Sequence, residues 1–235
     1  MSLHLIALHG AGMNAQVWGG LAPHLAAAGY GTAFQPVTMP GHHTGDDTTL
    51  LLRNVDDMAA WLASVIDGVE DGKDVVLVGH SLGAAVSFAA AHHARVAGVV
   101  AIASAPRMPV NADLLALAQS DPAAAQAMIV KWSCDSRHPQ AEAVRHVVTQ
   151  VMQKTPSQAL AADLTACSTM PEVAPCGKKT LVISARFDKM TPVEQGKALA
   201  ELQKGEHVVI DGGHMLPCEH APDIARAMTA FLAAF

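Results

Sequence analysis

Six short, mostly apolar runs, nearly all followed by a stretch with helical spacing, constrain this chain more than any other feature. The runs are Leu3–Leu8, Thr32–Val37, Val75–Val78, Gly98–Ala103, Thr180–Ile183 and His207–Ile210. Strands that are apolar throughout, rather than alternating with polar residues, suit a parallel sheet covered on both faces. Helical patterns lie between them at Val17–Ala28, Leu51–Ile66, Ser81–Ala94, Val193–Leu202 and Pro222–Ala234. In the second of these, Leu51, Leu52, Val55, Met58, Ala59, Leu62, Val65 and Ile66 recur at three- and four-residue spacing, which is one face of a helix. Right-handed crossovers then place helices on both sides of the sheet. The alternation stops between Pro106 and Pro175, where helix-like stretches stand in a row at Leu114–Ala118, Pro122–Trp132, Glu142–Lys154 and Ser157–Cys167. The pattern predicts an α/β fold: a six-stranded, mostly parallel sheet with helices on both faces, built by residues 1–105 and 176–235, with residues 106–175 inserted as a small helical cap.

The 235 residues fit one domain with a sizeable core. Charged residues make up only 15 % and apolar residues 51 %, which excludes a disordered chain. Much of the apolar excess is alanine, 44 residues, so it need not mean a greasy surface. The net charge of −6 and the absence of a basic stripe argue against a nucleic-acid partner. No apolar run approaches the roughly 18 residues of a membrane span, so no membrane partner is expected. The opening Met1-Ser2-Leu3-His4 lacks a basic region leading to a cleavage site, so no signal peptide is expected. Cys134, Cys167, Cys176 and Cys218 lie far apart without a CxxC, which predicts reduced thiols in a cytoplasmic protein.

Gly79-His80-Ser81-Leu82-Gly83 falls between a predicted strand and a predicted helix, the context of a G-x-S-x-G nucleophile elbow. There the chain turns sharply and holds the serine in a strained conformation. Side chains two residues either side would collide with neighbouring backbone, so Gly79 and Gly83 are small. Ser81 is then presented at the carboxyl end of the sheet, where open parallel sheets form their crevice.

A serine hydroxyl needs a base. Of the 13 histidines, His214 is distinguished by its place in Asp211-Gly212-Gly213-His214, a glycine-rich loop after the sixth strand and at the same sheet end as Ser81. His80 adjoins Ser81 but, one residue off around the turn, is expected to point away. Asp188, in the loop after the fifth strand, is the expected orienting acid. Asp211 is the rival, although a residue three before the base in a tight loop is poorly placed to reach its ring. An oxyanion needs preorganised donors. The Leu82 amide is one, and the first strand–helix loop, His9-Gly10-Ala11-Gly12-Met13, offers Ala11 or Met13 as the other.

Taken together, His9-Gly10-Ala11-Gly12, Pro40-Gly41-His42-His43, Gly79–Gly83, Asp188 and Gly213-His214 resemble the motifs of the α/β-hydrolase superfamily, over essentially the whole chain. The order Ser81, Asp188, His214 is that superfamily's order. The stretch from His9 to Trp18 is similar to small bacterial carboxylesterases, including the pimeloyl-carrier-protein methyl ester esterase type, and to plant methylesterases and hydroxynitrile lyases. His43 stands where the family usually has glycine, and Ala84 where a second glycine often follows the elbow. The resemblance implies a serine hydrolase working through an acyl-enzyme, with no cofactor. The same triad also serves thioester, C–C and hydroxynitrile lyase chemistry, and a ligand receptor can retain it.

The apolar 106–175 segment favours a small-molecule partner, an ester with small or medium apolar groups. Met13, His43, Met108, Trp132, Met190 and Met215 are the candidate substrate contacts. Paired histidines at 42–43 and 92–93 have no carboxylate or cysteine at ligand spacing, so no metal is expected. The sequence leaves the oligomeric state open.

Overall fold

The structure, a computed structural model, describes residues 2–235. Of the opening stretch read for a signal peptide, Met1 lies outside them. Six strands, β1 (Ser2–Leu8), β2 (Phe34–Val37), β3 (Lys73–His80), β4 (Val96–Ile102), β5 (Lys179–Ala185) and β6 (Glu206–Ile210), form one sheet in the order β2-β1-β3-β4-β5-β6. All five pairings are parallel, so the sheet expected to be mostly parallel is wholly so. The strand order reverses direction at β1/β3, which is where open α/β sheets place a ligand crevice outside the strands' carboxyl ends.

Burial explains why the strands read as continuous apolar runs. Leu5 and Ala7 of β1, Val76 and Val78 of β3, and Val100 and Ile102 of β4 enter one core. The intervening Ile6, Leu8, Val75, Leu77, Val99 and Ala101 enter a second core on the opposite face. Helices α1 (Ala22–Ala27) and α10 (Ala221–Leu232) cover the first face, through Leu25, Ile224 and Met228. Helices α2 (Val55–Asp67), α3 (Leu82–Ala90) and α8 (Val193–Gln203) cover the second, through Met58, Leu62, Ile66, Val86 and Leu199. The Val55, Met58, Ala59, Leu62, Ile66 stripe of α2 is buried as its spacing requires.

One predicted helix is broken. Val17–Ala28 divides into a 3-10 turn, Ala15–Trp18, and the short α1, because Gly19-Gly20 interrupts it. The turn is capped by the Asn14 side chain, which accepts from the Gln16 amide at 2.9 Å. Between β4 and β5 the chain forms α4 (Ala112–Ser120), α5 (Pro122–Ser133), α6 (Ala141–Gln153) and α7 (Ser157–Thr169), with no strand. These four helices pack onto the first core through Leu114, Ile129, Val148 and Leu160. A single-turn helix, α9 (Leu216–Glu219), follows β6. Among the described residues no helix is long and apolar enough to cross a membrane, and the four cysteines are unpaired.

Candidate active site

β3 ends at His80 and α3 starts at Leu82, so Ser81 alone makes the turn. Its φ of +52° and ψ of −117° lie outside the regions open to most residues, a strain of about 1–3 kcal/mol that the surroundings must hold. They do so through the Ser81 amide, which donates to Ile102 O at 2.9 Å, and the Ser81 carbonyl, which accepts from Ala84 N at 2.9 Å and Ser104 Oγ at 3.2 Å. The flanking glycines are required by space. A Cβ at Gly79 would sit 2.3 Å from Ala84 N, and one at Gly83 would sit 2.5 Å from Leu8 O.

Ser81, His214 and His80 line one small cavity of about 30 Å³ together with Gly10, Ala11, Met13, Ile129, Leu164, Met190 and Met215. Behind it, His214 Nδ1–H donates to Asp188 Oδ2 at 2.7 Å. Asp188 is itself fixed: Oδ1 accepts from the amides of Met190 (2.7 Å) and Thr191 (2.9 Å), and Oδ2 from the Thr191 hydroxyl (2.7 Å). Burial disfavours its ionised form, but the charge and hydrogen bond of His214 and the Thr191 donors outweigh burial and hold the carboxyl below the usual carboxylate range. The rival Asp211 pairs at the surface with Arg186 instead.

The loop carrying His214 is anchored on three sides. His80 Nε2–H donates to the His214 carbonyl at 2.9 Å. The Met215 amide donates to Ser133 O, at the end of α5, at 3.1 Å. The buried Glu219 carboxylate accepts from the amides of Gly213 and of Asp135, the latter at 2.8 Å, and so ties this loop to the α5–α6 connection. His80 does not point away from the site as adjacency to Ser81 suggests. The strand direction carries its ring into the cavity wall, 5.0 Å from the His214 ring. Burial, and then the charge of His214, push its pKa down to about 3, so it is neutral.

The loop after β1 supplies the other wall. The Met13 amide donates to Gly10 O at 3.2 Å and the Gly12 amide to Asp163 Oδ2 at 2.8 Å. Two of the three amides from 11 to 13 are thus engaged within the loop or by α7, and both Ala11 and Met13 line the cavity. Leu82, the first residue of α3, has an amide at the helix start with no partner within the helix.

Asp163, of α7, and its pairing with His42, of the loop after β2, escape sequence reasoning. Asp163 is fully buried, and its Oδ2 also accepts from His42 Nε2–H at 2.9 Å. Burial opposes the His42 cation, but the charge and hydrogen bond of Asp163 prevail and raise its pKa. The one available signal is an aspartate in the midst of an alanine- and leucine-rich helix.

Three of the expected substrate contacts, His43, Met108 and Trp132, are not among the residues lining this cavity. His43 is exposed, its amide turned onto Asp46. Met108 is buried in the second core, with its sulfur 3.9 Å from Ser104 Oγ. Trp132 is 42 % exposed and lines a separate surface cleft with Arg137 and Phe187, whereas Ile129 of the same helix lines the cavity. Among the described residues no group of three or more His, Cys, Asp or Glu is arranged to hold a metal ion.

The fold and this site can be set beside known proteins. An esterase from Thermogutta terrifontis superposes with a TM-score of 0.84 at 20 % identity, covering 100 % of this chain and 90 % of the other. An enol-lactonase from Burkholderia xenovorans LB400 gives 0.85 at 18 %, covering 99 % and 92 %. A bromoperoxidase from Bacillus anthracis gives 0.83 at 18 %, with the same coverage of 99 % and 92 %. No curated protein sequence is significantly similar to the chain. At such identities these likenesses speak for the fold, whereas residues 5–227 match the alpha/beta hydrolase family as a sequence. That match spans nearly the whole chain, and the chain belongs to the alpha/beta hydrolase family.

Proposed function

We propose that this protein is a serine hydrolase that cleaves carboxylic esters with small apolar acyl groups through an acyl-enzyme. The observation that carries the reading is the strained Ser81 sharing one cavity with His214, whose far nitrogen is bonded to Asp188 at 2.7 Å. In the reaction, Ser81 Oγ attacks the ester carbonyl carbon while His214 accepts the hydroxyl proton. The carbonyl electrons move onto oxygen, and the amides of Ala11 and Leu82 hold that oxyanion. Its collapse breaks the C–O bond, and the departing alcohol takes the proton from His214. Water, deprotonated by His214, then attacks the acyl carbon, the bond to Ser81 Oγ breaks, the acid leaves, and His214 returns the proton to Ser81. Asp188 keeps the imidazole in the right tautomer throughout.

The substrate class follows from the wall. Beyond the catalytic groups and glycine, the cavity is lined by Met13, Met190, Met215, Ile129 and Leu164, and among the described residues no Lys or Arg lines it. Such a wall favours an uncharged acyl group over an acid, and it gives no cation for cyanohydrin cleavage. The cavity is small, about 30 Å³, on a scale where one ordered water needs about 10–15 Å³. Longer chains therefore require the flexible methionines to move. That Ile129 of α5 and Leu164 of α7 reach the cavity supports reading residues 106–175 as the cap of this site.

The test is turnover of p-nitrophenyl esters across acyl lengths. Acetate is expected to exceed butyrate, and Ser81→Ala is expected to lose at least about a thousandfold in kcat with its fold intact. Undiminished turnover by Ser81→Ala would refute the reading.

A further inference from the structure

Besides Glu219, another buried carboxylate outside the triad holds a loop of the cavity wall. Asp163 sits midway along α7, and its Oδ2 joins two segments remote in sequence, the Gly12 amide at 2.8 Å and His42 Nε2–H at 2.9 Å. A buried carboxylate is costly unless charge and hydrogen bonds offset it, and both of these partners meet the same oxygen. Among the described residues the other oxygen, Oδ1, has no partner. Its position is explained by what it holds.

What it holds is the peptide between Ala11 and Gly12. Gly12 has φ +67°, and a Cβ there would sit 2.9 Å from Leu160 Cδ1, so α7 is pressed onto this turn. Fixing the Ala11–Gly12 peptide plane fixes rotation about the Ala11 Cα–C bond. The Ala11 N–H itself belongs to the Gly10–Ala11 peptide, whose carbonyl accepts from the Met13 amide at 3.2 Å and from His9 Nδ1–H at 2.9 Å. With both neighbours committed, the direction of the Ala11 N–H is set. Donors to an oxyanion must be aimed before charge develops, and small misplacements are costly in rate.

We propose that Asp163 is a positioning residue of the oxyanion loop: by holding the Gly12 amide it fixes the peptide that follows Ala11 and so helps aim the Ala11 N–H at the developing oxyanion, with His42 Nε2–H bonded to the same carboxylate oxygen. The inference rests on the Ser81 reading above. It also couples the cap to the chemistry, because the helix that carries Asp163 places Leu164 in the cavity wall.

The test uses the full chain with p-nitrophenyl acetate and, as a second readout, a trifluoromethyl ketone. Ser81 adds to the ketone carbonyl and its proton passes to His214, leaving a hemiketal oxyanion in the same place. Asp163→Ala is expected to lower kcat by about 30- to 100-fold with KM within about threefold, and to weaken the ketone by the same factor as kcat/KM. Asp163→Asn keeps an acceptor for Gly12 and is expected to recover most of kcat. Should Asp163→Ala not fold, the double replacement Asp163→Leu with His42→Phe leaves no unpaired charge and is expected to show the same loss of kcat. A folded Asp163→Ala or double variant with kcat within about threefold of wild type overturns the proposal. So does a loss carried by KM alone, or ketone affinity that does not follow kcat/KM. Full turnover by Ser81→Ala overturns this proposal and the Ser81 reading together. Loss of turnover in Ser81→Ala beside an unaffected Asp163→Ala overturns the role of Asp163 alone.

Discussion

His80 is the group whose burial has the most measurable consequence. It is neutral in the fold, with a pKa near about 3, but free to ionise near about 6.5 once the chain unfolds. A group whose folded pKa is depressed stabilises the fold fully above its unfolded value, and that stability is lost as pH falls toward the folded value. Between about pH 7.5 and about pH 5 the unfolded chain gains roughly 2 kcal/mol by protonating this one imidazole, while the folded chain gains almost nothing. His80→Gln offers the perturbation. Its side-chain amide can still donate to the His214 carbonyl, which His80 contacts at 2.9 Å, but it does not titrate. Urea unfolding of both proteins at the two pH values gives the change in stability for each. The variant is expected to lose about 2 kcal/mol less than wild type over that interval, with equal m-values. The double difference removes groups that titrate alike in both proteins, including His42, whose raised pKa acts in the opposite direction: its stabilisation is complete below about pH 6.5 and fades as pH rises through the folded value. Parallel losses in the two proteins would refute the burial of a neutral His80.

Gly83→Ala places a Cβ 2.5 Å from Leu8 O and 2.6 Å from His9 O. Neither carbonyl belongs to a flexible side chain, so a loss of at least about 1–3 kcal/mol in thermal or urea unfolding is expected. Glu219→Gln leaves the Gly213 or the Asp135 amide facing an NH2 group, and is expected to cost about 1–3 kcal/mol in stability and to lower kcat more than it raises KM, as steady-state kinetics would show. Met190→Ala enlarges the cavity wall and is expected to shift the ester preference from acetate toward butyrate. Trp132→Ala, at the separate cleft, is expected to leave the chain-length profile within about twofold of wild type.

The sheet was legible because burial on both faces writes itself as unbroken apolar runs: Val75–Val78 and Thr180–Ile183 sit wholly inside β3 and β5. Ser81 was legible because the close approaches at Gly79 and Gly83 admit no side chain there, a local constraint that survives in the sequence. The placing of Asp188 and His214 at one sheet end followed from their loops after β5 and β6. Direction of side chains was harder to read. His80, one residue off around the turn from Ser81, is expected to face away, yet its ring lies in the cavity wall. His43, Met108 and Trp132 were placed by residue type in a loop or helix whose rotation depends on packing against distant segments. Asp163 and His42, separated by 121 positions, could not be paired from sequence, because neither has a local pattern that names the other.

Reaction of the whole chain with a fluorophosphonate, followed by intact mass and peptide mapping, tests the central claim most directly. The account predicts one adduct, on Ser81, formed together with loss of esterase turnover and absent from Ser81→Ala. An adduct on another residue, or full turnover with Ser81 quantitatively labelled, would contradict it.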